Sequence, residues 1–173
     1  MSGFALGQET PDFSLPATTG ETFTFNDHKS KQAGWHLIVF FRGSWCSACI
    51  KTLKDLEENK AYFKGENIHV ITISTDFLDD LTAMAEEHQF SFPVLADENL
   101  EALKAYEVYF HGDGAPFEDT GTHGEPAYFL VNDKGELLYQ QRQTNPYGRP
   151  TAAEIQQIVA FIRKKLDRSK IGA

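Results

Sequence analysis

Cysteine is scarce in this chain: Cys46 and Cys49 are the only two among 173 residues. A bridge between thiols two residues apart would close too small a loop to restrain an unfolded chain, so the pair has little value as a structural staple. Positive charge is also short. Lys and Arg number 16 against 25 Asp and Glu, a formal net charge of −9, and a surface of that sign repels nucleic acid and anionic membrane alike. Long apolar runs are missing: none approaches the roughly 18 residues of a membrane span. The opening MSGFALGQETPDF has no cationic segment followed by an apolar stretch. These shortages predict a cytoplasmic protein that acts on a small molecule or another protein, with no nucleic-acid and no membrane partner. At 173 residues the chain makes a single domain, 1–173, with room for a substantial core and no spare module.

What is present begins with FFRGSWCSACIKTL, residues 40–53, which carries both thiols. WHLIVFF (35–41) is a continuous apolar run of strand length, the pattern of a strand buried on both faces. After Cys49 the period changes: Ile50, Leu53, Leu56 and Phe63, with charged residues between them, predict one amphipathic helix. The thiols therefore sit at a strand-to-helix junction. NIHVITIS (67–74) and FPVLAD (92–97) predict further strands, and Leu78, Leu81, Met84 and Ala85 mark a helix between them. LEALKAY predicts a short helix after them. PAYFLV and ELLYQQR flank the turn-rich Asn132–Gly135 and predict an antiparallel hairpin. Thr151 with Glu154 three residues on forms a capping box ahead of a C-terminal helix with Ile155, Ile158, Ile162 and Leu166 on one face. The order predicts an α/β fold, a mixed sheet flanked by helices. Residues 109–125, with four glycines and a proline, show no usable period and read as an irregular loop insertion.

A dithiol oxidoreductase needs one thiolate that attacks and a second thiol close enough to resolve the product. Cys-x-x-Cys at a helix start supplies both, because the unpaired amides and positive end of the helix favour thiolate at the first cysteine, while the second lies one turn in. Trp45, just before the pair, can shield one side of it. The competing metal reading is weak: a second cysteine pair is absent, and among the six histidines none is spaced three to five from another, as a zinc finger requires. Inert thiols are the remaining alternative.

Several segments together resemble the AhpC/TSA (peroxiredoxin-like) branch of the thioredoxin superfamily. LGQETPDFSLPATTGETFTF is similar to its opening segment, a peroxiredoxin-type N-terminal hairpin, and LIVFFRGSWCSAC to its active-site strand and turn. ITISTD, FPVLAD and EPAYFLVNDKGELLYQ are similar to its later strands and closing hairpin, so the likeness covers nearly the whole chain. The resemblance implies a thioredoxin-like fold and thiol-dependent redox chemistry. It also conflicts with itself at the site. The peroxiredoxin motif Pro-x-x-x-Thr-x-x-Cys, laid on this chain, puts Cys49 at the peroxidatic cysteine but Cys46 at the threonine and Arg42 at the proline. Pro126 falls where that family has an arginine and matches the cis-proline that thioredoxins place beside their Cys-x-x-Cys. The thioredoxin-type alignment makes Cys46 the nucleophile, Cys49 the resolving thiol and the Glu125–Pro126 bond cis.

The remaining candidates each have a plainer alternative. Arg42 stabilises a thiolate or polarises a peroxide oxygen, or is a solvated turn residue. Pro126 shapes substrate approach, or merely opens a strand where a missing amide does no harm. His123 and Glu125 move protons for Cys49, or are solvated loop residues. Arg149 approaches the thiols, or only caps a turn. The expectation is a thiol-dependent oxidoreductase cycling between the Cys46/Cys49 dithiol and disulfide, by thiol–disulfide exchange in the first instance. A hydroperoxide-reducing peroxidase is the alternative, and a redox-sensing interaction domain the alternative of another class. Its partners are a thiol electron donor, thioredoxin-like or of low molecular weight, and a disulfide or peroxide substrate. No cofactor and no metal is called for, and the oligomeric state stays open.

Overall fold

The computed structural model describes residues 4–118 and 120–171. Strand β1 (Ser14–Pro16) pairs with β2 (Thr22–Thr24) in an N-terminal hairpin, followed by α1 (Phe25–Lys31). Next come β3 (Trp35–Phe40), α2 (Ser47–Glu58), α3 (Lys60–Gly65), β4 (Ile68–Ser74), α4 (Leu78–His88), β5 (Val94–Ala96) and α5 (Glu101–Ala105). The chain closes with β6 (Phe110–His111), β7 (His123–Gly124), β8 (Ala127–Val131), β9 (Leu137–Arg142) and α6 (Ala152–Ile171). Five strands form the central sheet in the order β5-β4-β3-β8-β9. Strands β5, β4 and β3 run parallel, while β8 and β9 join antiparallel. This is a mixed sheet flanked by helices, the thioredoxin-like arrangement.

Every residue of β3 is buried, as its unbroken apolar run requires of a central strand covered on both faces. Its side chains alternate between two cores. Leu37, Val39 and Phe41 meet Leu53 and Leu56 of α2, Leu81 of α4 and Ile155 and Val159 of α6. Ile38 and Phe40 meet the hairpin's Leu15, Phe25 of α1 and Leu103 of α5. Because both sides of β3 are committed, a slip of one residue would exchange the two cores. That fixes where β3 ends, and so where the thiols begin.

The single helix predicted from Cys49 through Phe63 is two. Asn59 ends α2 and opens α3: its amide Nδ2 donates to the Asp55 carbonyl at 2.8 Å. An asparagine side chain that takes a backbone carbonyl one turn back competes with the helical ladder, and the hydrophobic period on either side concealed it. The capping box at the start of α6 is present, with Glu154 N–H donating to Thr151 Oγ1 at 3.1 Å and Thr151 Oγ1 to Glu154 Oε1 at 3.1 Å. The 109–125 segment is not wholly irregular. Its ends are pinched by a two-rung ladder pairing Phe110 with Gly124 and His111 with His123, too short to leave a period in the sequence. Among the described residues no helix is long and apolar enough to cross a membrane.

Candidate functional site

The chain leaves the carboxyl end of β3 through Phe41 and Arg42 and turns into α2, placing the thiols where open sheets commonly gather ligands. The turn is held from below. Ser74 Oγ donates to the Arg42 carbonyl at 3.2 Å, and Ser44 donates to Asp76 Oδ2 from its backbone at 2.9 Å and its hydroxyl at 2.5 Å. A β-carbon on Gly43 would collide with the Trp45 indole, which folds back over the turn. Trp45 lies 4.8 Å from the Arg42 guanidinium and edge-on to His123 at 5.0 Å.

Cys46 is the N-cap of α2, and its sulfur accepts the Cys49 N–H at 3.2 Å. Arg42 Nη1 stands 3.8 Å from the same sulfur. The Cys46 thiol is brought down to about 5: hydrogen bonding from the Cys49 thiol is the largest cause, burial opposes it, and the Cys49 amide, Arg42 and Arg149 add to it. Cys49 moves the other way. Burial is the main cause, with the neighbouring Cys46 next, and both hold Cys49 protonated. The Cys49 sulfur still accepts from the Arg42 backbone N–H at 3.4 Å and Arg149 Nη2 at 3.5 Å. Both sulfurs are buried, Cys46 4 % exposed and Cys49 not at all. A proton thus rests on Cys49 and a negative charge on Cys46, the division a nucleophile and its resolving thiol need. Iodoacetamide at pH 6.5 is accordingly expected to alkylate Cys46 first, at a rate already near its plateau, with Cys49 labelled only after denaturation. Mass spectrometry of the peptides checks this, and equal labelling of the two would overturn the division.

Arg42 is also the centre of a buried polar cluster. Its Nε lies 3.2 Å from Glu125 Oε2, and its Nη2 reaches Glu118 Oε2 at 2.5 Å and His123 Nε2 at 3.3 Å. His111 Nε2 lies 2.8 Å from Glu125 Oε1. The β6/β7 ladder creates this cluster, since pairing His111 with His123 sets two imidazoles beside Glu125. Two carboxylates thereby fix a guanidinium whose remaining edge faces the Cys46 sulfur.

The structure brings Cys46, Cys49, Arg42 and Trp45 together, and His123, Glu125 and Arg149 join them. His123 and Glu125 lie against the Arg42 guanidinium. Arg149 is braced by the Pro146 carbonyl, which accepts from its Nε at 2.8 Å, and its Nη1 donates to Thr52 at 3.3 Å while Nη2 meets Cys49. The cis bond expected at Glu125–Pro126 is not present: the bond is trans. The reason is local. Glu125 N–H donates to the Tyr109 carbonyl at 2.9 Å and the Pro126 carbonyl accepts from Gln143 at 2.9 Å, so the chain runs extended into β8, and the amide that Pro126 lacks is not missed. Sequence reasoning passed over Glu118 and His111, whose place depends on a ladder with no periodic signal.

Comparison with known proteins bears on the family and the fold. Over 138 residues the chain is 24% identical to the peroxiredoxin Bcp of Bacillus subtilis, covering 80% of this chain and 85% of that one. Over 136 residues it is 26% identical to the thiol-disulfide oxidoreductase ResA of Bacillus thuringiensis, covering 78% and 68%. Its fold superposes on the AhpC of Enterococcus faecalis with a TM-score of 0.76 at 19% identity, covering 97% and 96%. The sequence pattern of the AhpC/TSA family matches residues 6–140. With its paired thiols on a thioredoxin-like frame, the chain belongs to the AhpC/TSA family and is a thiol-dependent oxidoreductase.

Proposed function

We propose that the chain reduces hydroperoxides, with Cys46 as the attacking thiolate and Cys49 as the resolving thiol. The observation that carries this reading is the Cys46 sulfur itself: a thiolate at a helix N-cap, beside the Arg42 guanidinium and almost wholly covered. A small oxidant reaches a covered sulfur more readily than a folded protein's disulfide does. The guanidinium stands where the oxygen leaving a peroxide acquires charge. In the first step the thiolate attacks the terminal oxygen, the O–O bond breaks, and Cys46 becomes a sulfenic acid while alkoxide departs and takes a proton from solvent. In the second the Cys49 thiol attacks Cys46, the new S–S bond forms and water leaves. A thiol donor, thioredoxin-like or of low molecular weight, then supplies two electrons and two protons to restore the dithiol.

Thiol–disulfide exchange is the second reading, favoured by the same ordering of the two sulfurs and by the ResA relative's name. It loses the support of a thioredoxin-type cis-proline, because the bond before Pro126 is trans. Stopped-flow mixing of the reduced protein separates the two. Peroxide is expected to oxidise the dithiol far faster than a small-molecule disulfide at equal concentration. Arg42→Ala should slow the peroxide step by roughly 10²-fold, the scale of one lost donor to a developing oxyanion, with a smaller effect on exchange. Faster oxidation by disulfide than by peroxide would overturn the peroxidase reading.

A further inference from the structure

His111, Glu118, His123 and Glu125 each aim one ligand atom into the space beside Arg42, and these atoms all lie within 4.8 Å of one another. Three of the four side chains are buried, with Glu125 0 % exposed. Ion pairing with Arg42 explains part of this arrangement and leaves part unexplained. His111 Nε2 and Glu125 Oε1 are only 2.8 Å apart, yet His111, unlike Glu125, has no contact with Arg42 and makes no hydrogen bond through either ring nitrogen. Two buried ligand atoms this close, one of them without a hydrogen bond, stand at a spacing that lets both reach a third atom. His123 is set up in the same sense. Its Nδ1 lies 2.8 Å from the Gly121 carbonyl, which accepts only, so Nδ1 carries the proton and Nε2 turns its lone pair into the cluster. That is the backbone brace typical of a metal-bound histidine. Charge points the same way: Glu118 and Glu125 share the single charge of Arg42, whereas a divalent ion would match both carboxylates.

We propose that His111, Glu118, His123 and Glu125 form a binding site for a divalent transition-metal ion, which enters in exchange for the Arg42 guanidinium. Two imidazoles and two carboxylates are a borderline donor set, suited to Zn²⁺, Fe²⁺ or Mn²⁺ and distinct from the thiolate sites of structural zinc. Entry is by way of Glu118, which sits on the outer loop and is the least buried of the four. The exchange moves Arg42 out from under Trp45, so occupancy of the site reports at the indole next to the reactive thiol. This inference does not rest on the peroxidase reading, because binding is measured without turnover.

Co²⁺ added anaerobically to the reduced protein is the direct probe. The expected result is one ion per chain, with the visible bands of nitrogen and oxygen coordination and no thiolate-to-metal charge-transfer band. The Cys46→Ser/Cys49→Ser protein should bind equally well. His123→Gln and Glu118→Gln should each weaken binding by more than the 10–100-fold, roughly, expected of an outer partner. Arg42→Met should tighten it about tenfold or more, since a competing cation is removed. With Zn²⁺ in place of Co²⁺, wild type should show a change in Trp emission that Trp45→Phe abolishes. His111→Gln completes the set, and circular dichroism establishes that each variant is folded. Absence of binding to wild type, a thiolate charge-transfer band, or affinity indifferent to His123→Gln and Glu118→Gln would overturn the site. Weaker binding by Arg42→Met would overturn the exchange.

Discussion

Cys46→Ser is expected to reduce peroxide turnover by a factor on the order of 10³ or more, whereas Cys49→Ser is expected to complete the first step and stop. The asymmetry follows from the division of charge between the sulfurs. Cys46 at the N-cap holds the thiolate, brought down to about 5, and its sulfur faces the Arg42 guanidinium at 3.8 Å. A serine hydroxyl there stays protonated at neutral pH and does not attack. Serine at position 49 still offers the hydroxyl proton that the Cys49 thiol gives to Cys46, so the thiolate persists. One equivalent of peroxide should then leave a sulfenic acid on Cys46, trapped by dimedone, at a rate within about tenfold of wild type. Adding a small thiol should convert it to a mixed disulfide at Cys46. The peroxiredoxin-type alignment makes the opposite demand, because it places the peroxidatic sulfur at Cys49. Arg149 and the Arg42 amide do approach that sulfur, but burial holds its proton in place. Dimedone labelling of Cys49 in the Cys46→Ser protein at low peroxide would overturn the assignment.

What could be read from the sequence was whatever a regular period or a short local motif records. The apolar run at β3 announces a strand covered on both faces, and its burial is complete. Cys46 and Cys49 at a change of period announce a helix start, and Cys46 is the N-cap. Thr151 and Glu154 form their capping box because every partner lies within one turn. The site beyond the thiols was less legible, for a physical reason. Glu125 meets Arg42 across 83 positions, and no local pattern encodes a contact at that range. His111 was invisible because a two-rung ladder leaves no alternation to count. Pro126 misled through analogy: a proline beside a Cys-x-x-Cys suggested a cis bond, whereas hydrogen bonds on both sides extend the chain there. The conflict between the two alignments at Arg42, Cys46 and Pro126 was itself informative, since it falls where the site departs from both patterns.

A second large effect is expected far from the thiols, where acid should destabilise the fold through His36. This residue lies on β3, fully buried, pairs in register with His69 of β4, and has no hydrogen-bond partner on either ring nitrogen. Phe25 meets its ring edge-on at 5.4 Å, and His28 and His69 stand at 5.2 and 5.3 Å. Burial first, then His28, His69 and Lys29, push His36 down to about 3. An unfolded chain offers the same imidazole near 6.5. As pH falls below about 6.5 the unfolded state takes up the proton and the folded state does not, so stability is lost progressively until about pH 3. At pH 5 the loss from this one group is about 2 kcal/mol, which for a chain of this size lowers Tm by roughly 4–8 °C. His28, itself pushed down by burial and by His69, adds in the same direction. The Cys46 thiolate also favours the folded state more as pH rises above about 5, so the comparison is made on the Cys46→Ser/Cys49→Ser protein. There the melting temperature should fall between pH 7 and pH 5, and His36→Leu should remove more than half of that fall. Leucine also relieves two buried nitrogens of their missing partners, so the variant should be no less stable than its parent at pH 7. A melting temperature flat from pH 7 to pH 5, or an unchanged slope in His36→Leu, would show that the buried imidazole takes its proton as readily in the folded chain as in the unfolded one.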